Sequence, residues 1–174
     1  MLNVILQLDS LITQLLSALI PHNYFFNLFF SFFSMKGGSI GIWIVIVVLL
    51  IIFEEKINRK FILYFLVILA ISSFTVFGIK NIVKRNRPIS TYTCPKDYSF
   101  PSGHATTAFA AATILSVFDK KRRVFYYAVA VLIAFSRIYL ECHYILDVIG
   151  GGFIGYFVSK TILQLSPMKK PLRN

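Results

Sequence analysis

Residues 136–147 read SRIYLECHYILD, a stretch that places Arg137, His143 and Asp147 between apolar side chains. Ionisable groups are costly at membrane depth, and those found there usually face a functional cavity. His143 and Asp147 have i, i+4 spacing, so on a helix they share one face and can touch. A carboxylate bound to one imidazole nitrogen fixes the tautomer and leaves the other nitrogen as a base or nucleophile. A buried pair that only ties two helices together has the same spacing, and this stretch alone does not separate the two interpretations.

The composition is that of an integral membrane protein. The 174 residues are enough for one domain, 57% of them are hydrophobic and only 14% are charged, whereas a soluble domain is typically about 25% charged. The mean hydropathy is +0.73. The formal net charge of +11 is also found in nucleic-acid binders. Because the basic residues lie mostly between apolar runs, we attribute them to membrane topology and predict no nucleic-acid partner.

Five apolar segments are candidates for membrane-spanning helices, and charged or Pro-containing segments separate them. The sequence therefore predicts an all-α integral membrane protein, a bundle of about five transmembrane helices forming a single membrane-embedded domain over residues 1–174. The predicted spans are 37–53, 61–79, 101–118, 124–139 and 143–165.

The N-terminal segment is amphipathic. Within residues 2–20, apolar side chains recur at helical spacing among polar ones, a pattern typical of a helix lying in the membrane interface. Pro21-His22-Asn23 breaks this segment, and the aromatic run 24–33 is too short to span a membrane alone. We therefore expect two N-terminal interfacial helices. The alternative is one spanning helix over 11–34, which would make six.

Basic residues predict the orientation of the bundle. The turns at 54–60 and 119–123 and the tail from Lys169 fall on one side and are rich in Lys and Arg. The positive-inside rule assigns that side, with the C-terminus, to the cytoplasm. The outer face then receives residues 80–104 and 137–147, so the candidate chemical residues converge on one membrane face.

Three motifs lie in these outer segments. They are Lys80 followed after six residues by Arg87-Pro88, then Pro101-Ser102-Gly103-His104, then Ser136-Arg137 followed by His143 and Asp147. Each is weak or moderate alone, because basic residues commonly flank spans and Pro-Ser-Gly is also a helix start. In this order and spacing, the three resemble the type 2 phosphatidic acid phosphatase family, which shares its active site with the vanadium haloperoxidases. The resemblance covers residues 80–147 motif by motif.

The resemblance implies catalytic roles for three residues. His143 attacks phosphorus and forms a phosphohistidine, and Asp147 orients the attacking imidazole. His104 protonates the leaving oxygen and later activates water.

Five further residues are candidates for phosphate binding. Lys80, Arg87 and Arg137 supply three cations, and one Arg can bind two phosphate oxygens. Ser102 can donate its hydroxyl. The amides of Gly103 and the following histidine lie at a predicted helix N-terminus, which favours anions.

The other charged residues of the outer face are given no catalytic role. Asp97 and Glu141 make a poor cage for Mg²⁺, and the chain offers no dense carboxylate cluster for two metals. We therefore expect no metal and no cofactor. Lys84, Arg85 and Lys96 are interpreted as residues that face lipid head groups.

Cys94 and Cys142 both fall on the outer side, where thiols can oxidise. A disulfide between them would tether the 89–100 loop next to His143. Two separate thiols fit the sequence equally well, because the Cα separation that a disulfide requires is unknown from sequence.

The leading functional hypothesis is a membrane lipid phosphatase at the outer face of a bacterial plasma membrane. The resemblance implies a lipid phosphate or diphosphate substrate: undecaprenyl diphosphate is favoured over phosphatidylglycerophosphate, phosphatidate and lipid A phosphate. A lipid phosphotransferase would use the same residues. A non-catalytic protein that binds lipid phosphate is a further alternative, against which the complete set of His104, His143 and Asp147 argues.

Overall fold

The structure is a computed structural model, which describes residues 2–35, 38–54 and 59–165. Over these residues it is helical with irregular connections, which confirms the all-α class. The helices are α1 (Leu2–Ala18), α2 (Tyr24–Ser34), α3 (Gly38–Glu54), α4 (Arg59–Val83), α5 (Gly103–Phe118), α6 (Arg123–Tyr139) and α7 (Ile145–Leu165), with a 3₁₀ turn at Lys120–Arg122. Helices α3 to α7 coincide within a few residues with the five predicted spans.

The helices differ in how well they fit a bilayer. Of the helices described, α4 and α7 are long and apolar enough to cross a membrane, whereas α2, α3 and α5 are apolar but shorter. The count of five spans therefore stays a prediction. Residues 55–58 and 166–174, which contribute to the predicted orientation, lie outside the described residues. The outer surfaces of α3 and α4 carry large apolar side chains such as Phe53, Phe74 and Ile82, each at least 76% exposed.

Helix α5 lies at the centre of the bundle, and small residues allow its neighbours to approach closely. Its buried residues are mostly Ala and Thr. On α7, a Cβ added to Gly155 would overlap the carbonyl oxygen of Thr106, and one added to Gly151 would lie 2.6 Å from that of Ser102. Because these neighbours are backbone atoms, only glycine permits this distance between the two helices.

The N-terminal segment forms two helices rather than the single helix considered over 11–34. The break lies at 21–23, and the side chain of Asn23 caps α2 by accepting a hydrogen bond of 3.0 Å from the amide of Phe26. The preference for two helices is therefore confirmed.

The amphipathic pattern of α1 is present, but its polar stripe faces the protein. Asp9, Thr13 and Ser17 are buried, whereas Leu11, Leu15 and most of the other apolar side chains of the helix are exposed. Ser17 donates to the carbonyl oxygen of Tyr139 at 3.2 Å. Periodicity revealed the stripe but not the side that it faces.

Replacing Gly155 with Ala should destabilise the protein by about 1–3 kcal/mol, the usual cost of overpacking, because the new Cβ would overlap backbone atoms of α5. The unfolding midpoint of the purified protein in detergent measures this. Gly78→Ala in α4 is the matched control, since nothing lies within 4 Å of its added Cβ. Equal midpoints for the two variants would contradict the proposed packing.

Candidate active site

The three motifs come together at one end of the bundle, where α4 and α6 end and α5 and α7 begin. The candidates lie in the last turns of α4 and α6, at the start of α5, in the α6–α7 turn, in the first turn of α7 and in the 84–102 loop. They are Lys80, Arg87, Ser102, Gly103, His104, Arg137, His143 and Asp147. The amide of Ser102 donates to the carbonyl oxygen of Asp147 at 2.9 Å and joins the starts of α5 and α7.

His143 is buried, and the geometry defines its tautomer. Its Nε2 lies 2.8 Å from Nη1 of Arg87, and the same Arg87 nitrogen donates to the carbonyl oxygen of Cys142 at 2.7 Å. Because arginine only donates, Nε2 must be the acceptor and the proton must sit on Nδ1. Nδ1 lies 3.5 Å from Oδ2 of Asp147, longer than a typical hydrogen bond, as catalytic contacts often are without substrate.

The surroundings of His143 favour a neutral ring. Burial, and then the positive charges of Arg87 and Arg137, hold the pKa of His143 well below its usual range. The ring therefore stays unprotonated at Nε2 near neutral pH, and this nitrogen keeps its lone pair. Lys80 and His104 also lie within electrostatic range of the ring.

Two of the three predicted phosphate-binding cations are held by an acid. Asp97 accepts from Lys80 at 2.8 Å and from Arg87 at 2.6 Å. Although partial burial opposes it, the hydrogen bonds from both cations lower the pKa of Asp97 to about 2. The side chain of Asp97 is nevertheless 52% exposed. An ionised, half-exposed carboxylate thus binds the two cations that were predicted to bind phosphate.

The third predicted phosphate-binding cation, Arg137, is buried and only partly hydrogen-bonded to the residues that the structure describes. Arg137 is 3% exposed, and its Nη1 donates to the carbonyl oxygen of Ser34 at 3.2 Å. Its Nε and Nη2 make no hydrogen bond to any residue that the structure describes. Buried donors without acceptors are costly, so this guanidinium is suited to an anionic ligand.

The start of α5 matches the predicted helix N-terminus. Ser102 is fully buried and caps the helix, its Oγ accepting from the amide of Ala105 at 3.4 Å. His104 lies in the first turn, with Nε2 3.5 Å from the carbonyl oxygen of Met35. The serine hydroxyl keeps its own hydrogen for donation.

Arg85 was wrongly assigned to lipid head groups. Its Nη1 donates to Oδ1 of Asp147 at 2.7 Å, and its Nη2 donates to Oδ2 of Asp9 at 2.5 Å. The arginine side chain is 15% exposed, and both carboxylates are fully buried. In the sequence, Arg85 is one of several basic residues that follow α4. The one sign of a buried partner was Asp9, an acid within the apolar α1.

The 84–102 loop is fixed at several points. Of the two alternatives for the cysteines, the structure contains the disulfide between Cys94 and Cys142, with a Cα–Cα distance of 5.4 Å. Ser90 donates to the carbonyl oxygen of Leu140 at 3.0 Å, and the hydroxyl of Tyr92 donates to the side chain of Asn27 at 2.9 Å. The loop carrying Asp97 is therefore anchored to α2 and to the α6–α7 turn.

Fold and site together define a helical protein built around a buried histidine, a carboxylate and a set of cations, and comparison with known families agrees. The family model of the PAP2 superfamily matches residues 61–171. The chain belongs to the PAP2 superfamily, which confirms the resemblance drawn from the three motifs.

Curated relatives are phosphatases of lipid phosphates by name. The chain is 31% identical over 147 residues to an undecaprenyl-diphosphatase of Sulfolobus acidocaldarius, covering 79% of this chain and 71% of that protein. It is 30% identical over 89 residues to phosphatidylglycerophosphatase B of Bacillus subtilis, covering 44% of each.

Two crystal structures share the fold. A transmembrane PAP2-type phosphatidylglycerolphosphate phosphatase from Bacillus subtilis superposes with a TM-score of 0.75 at 20% identity, covering 98% of this chain and 90% of that one. LpxE from Aquifex aeolicus superposes with a TM-score of 0.70 at 23% identity, covering 90% and 95%. At these identities the likeness concerns the fold.

Asp97→Asn should tighten the binding of inorganic phosphate about tenfold, the equivalent of ~1.4 kcal/mol, because the charged carboxylate no longer competes for Lys80 and Arg87. Calorimetric titration of the purified protein with phosphate measures the dissociation constant. Glu141→Gln removes an acid from the neighbouring turn and serves as control. Weaker binding in Asp97→Asn would mean that the acid holds the cations in place for phosphate.

Proposed function

We propose that this protein is a membrane lipid phosphatase that works through a phosphohistidine on His143. The observation that carries the proposal is the contact of Arg87 with Nε2 of His143, at 2.8 Å. The imidazole is then neutral, and its Nε2 lone pair, which accepts from Arg87 in this structure, would be released to attack phosphorus when the guanidinium turns to a bound phosphate. A phosphohistidine requires this unprotonated nitrogen beside bound phosphate.

The reaction would proceed in two steps. In the first, Nε2 of His143 bonds to phosphorus while the bond to the lipid oxygen breaks, and that oxygen takes its proton from His104. In the second, water bonds to phosphorus, the nitrogen–phosphorus bond breaks, and His104 takes the proton from water. Asp147 stays ionised beside Nδ1 and stabilises the positive charge that the ring carries as an intermediate.

The cations and the start of α5 would stabilise the charge of the transferring group. Three equatorial oxygens need donors in the transition state. The free Nε and Nη2 of Arg137 supply two, Lys80 and Arg87 supply more once Asp97 has moved away, and the N-terminus of α5 supplies Gly103 with its positive dipole end. These groups provide the charge that a metal would otherwise bring, so we propose a metal-independent reaction.

For the substrate we favour undecaprenyl diphosphate. The relative of Sulfolobus acidocaldarius is named for it. A cavity of about 480 Å³ also opens beside the loop, with Arg87 and Lys96 among its lining residues, and its basic lining suits the second phosphate of a diphosphate. Phosphatidylglycerophosphate is the second candidate, named by the relative of Bacillus subtilis.

We further propose that α3 to α7 span the plasma membrane, bacterial as expected above, with the site at the outer face and the C-terminus in the cytoplasm. The exposed apolar surface of α3 and α4 supports lipid contact. The disulfide between Cys94 and Cys142 supports an oxidising side for the loop.

His143→Ala should abolish phosphate release, because it removes the nitrogen that would take the phosphoryl group. Purified variants would be assayed on a panel of undecaprenyl diphosphate, phosphatidylglycerophosphate and phosphatidate. His104→Ala should lose about 10²- to 10⁴-fold, the usual share of a general acid, and Asp147→Asn somewhat less. His22→Gln, outside the site, is the control. Near-normal turnover by His143→Ala would disprove the mechanism.

Activity should persist in excess chelator and be inhibited by vanadate. Vanadate readily becomes five-coordinate and can accept Nε2 of His143 as an axial ligand, and such mimics of a transition state bind more tightly than substrate. Arg137→Ala should weaken vanadate inhibition and turnover together. Loss of activity in chelator, restored by Mg²⁺, would instead indicate a metal-dependent phosphatase.

A further inference from the structure

We propose that Asp9 and Arg85 are positioning residues for the nucleophile, forming with Asp147 a buried row of charges that keeps Asp147 ionised and oriented behind His143. This inference rests on the proposed function, since it assigns the two residues to the phosphoryl-transfer step. Neither residue is among the fixed positions of the three motifs from which the family resemblance was drawn.

The geometry of the row comes from the fork of one guanidinium. Arg85 uses Nη1 for Asp147 at 2.7 Å and Nη2 for Asp9 at 2.5 Å. Its plane also lies over the ring of Tyr144, with Cζ 4.0 Å from the ring centre, a contact that adds cation–π attraction. A planar group held at three points has one orientation, so Asp147 is fixed from the side opposite His143.

Asp9 has a second task at the start of α7. Its Oδ1 accepts from the amide of Leu146 at 3.0 Å, and Oγ1 of Thr13 accepts from the amide of Ile145 at 2.9 Å. First-turn amides have no partner within their own helix, so α1 caps α7 from outside. The helix that carries Asp147 is thus positioned by two residues of the buried polar stripe of α1.

The charges explain why an acid is needed at position 9. Arg85 alone would neutralise Asp147 and leave no net charge behind His143. With Asp9 ionised as well, the three groups carry one net negative charge. Asp147 can then stabilise the positive imidazole of the intermediate. Oδ2 of Asp147 also accepts from the amide of Tyr144 at 2.9 Å, which keeps this oxygen directed at the α6–α7 turn.

A charge-balance experiment separates positioning from simple structural support. Asp9→Asn keeps the shape and an acceptor for Leu146 but removes the charge, so the row becomes neutral. The double variant Asp9→Asn/Arg85→Gln restores one net negative charge, carried by Asp147 alone. Lys84→Gln, an exposed cation next to Arg85, is the matched control.

The variants would be compared by kcat and KM for phosphate release from undecaprenyl diphosphate in detergent, with unfolding midpoints measured alongside. Asp9→Asn should lose between about 10- and 100-fold in kcat, the range expected for a misplaced catalytic group, with KM within about twofold. The double variant should recover kcat relative to Asp9→Asn, even if its midpoint is lower. Lys84→Gln should match the wild type.

Three outcomes would overturn the inference. An unchanged kcat in Asp9→Asn would show that the charge is irrelevant. A double variant slower than Asp9→Asn would show that the net charge of the row does not set the rate, which contradicts the charge argument. A raised KM with normal kcat in the double variant would show that Arg85 binds the substrate instead, since it also lines the loop cavity. Failure of the proposed function would look different, because the wild-type protein itself would then release no phosphate, or His143→Ala would release it normally.

Discussion

Where α5 and α7 begin, the amide of Ser102 donates to the carbonyl oxygen of Asp147 across 2.9 Å. This bond exists because Gly151 and Gly155 let the two backbones approach to distances that no side chain would allow. It places the anion-favouring start of one helix beside the carboxylate-bearing start of the other. The cations of the site come from α4, α6 and the loop. They surround this junction, which holds the two helix starts together.

The acids near the site are stabilised in two different ways. Asp97 is half-exposed, so its charge is stabilised by solvent and by two cations. Asp9 and Asp147 are fully buried, and burying a charge without partners costs several kcal/mol. Each therefore receives an arginine nitrogen and a backbone amide. The exposed Asp97 can give up its two cations to a ligand. The buried Asp9 and Asp147 cannot, so they suit a fixed structural role.

Sequence reasoning predicted the helices from α3 to α7 well, because runs of apolar residues ended by charges or proline are a local signal. The motifs, whose spacing is fixed, also supplied the candidate site residues, which the fold brings to one end of the bundle; their roles stay predictions. Sequence reasoning did not find Asp9 and Arg85, since their contact joins residues far apart in the chain and no periodicity records it. Arg85 and Arg87 look alike in the sequence. Only the packing shows that Arg85 binds Asp147 and that Arg87 contacts His143. The stripe on α1 was visible, yet in a membrane protein an apolar face can point outward, so its direction could not be derived.

The disulfide between Cys94 and Cys142 gives the protein an order of maturation. The two cysteines are 48 residues apart, with α5 and α6 between them, so the bond ties the loop to a turn that lies two helices further along the chain. Thiols oxidise outside the reducing cytosol, and with the site at the outer face, as proposed, the loop must cross the membrane before it is tied. A newly made chain would thus be inserted with its loop open, and the loop carrying Asp97 would settle over the site only after export. Enzyme trapped on the cytoplasmic side would lack this last constraint.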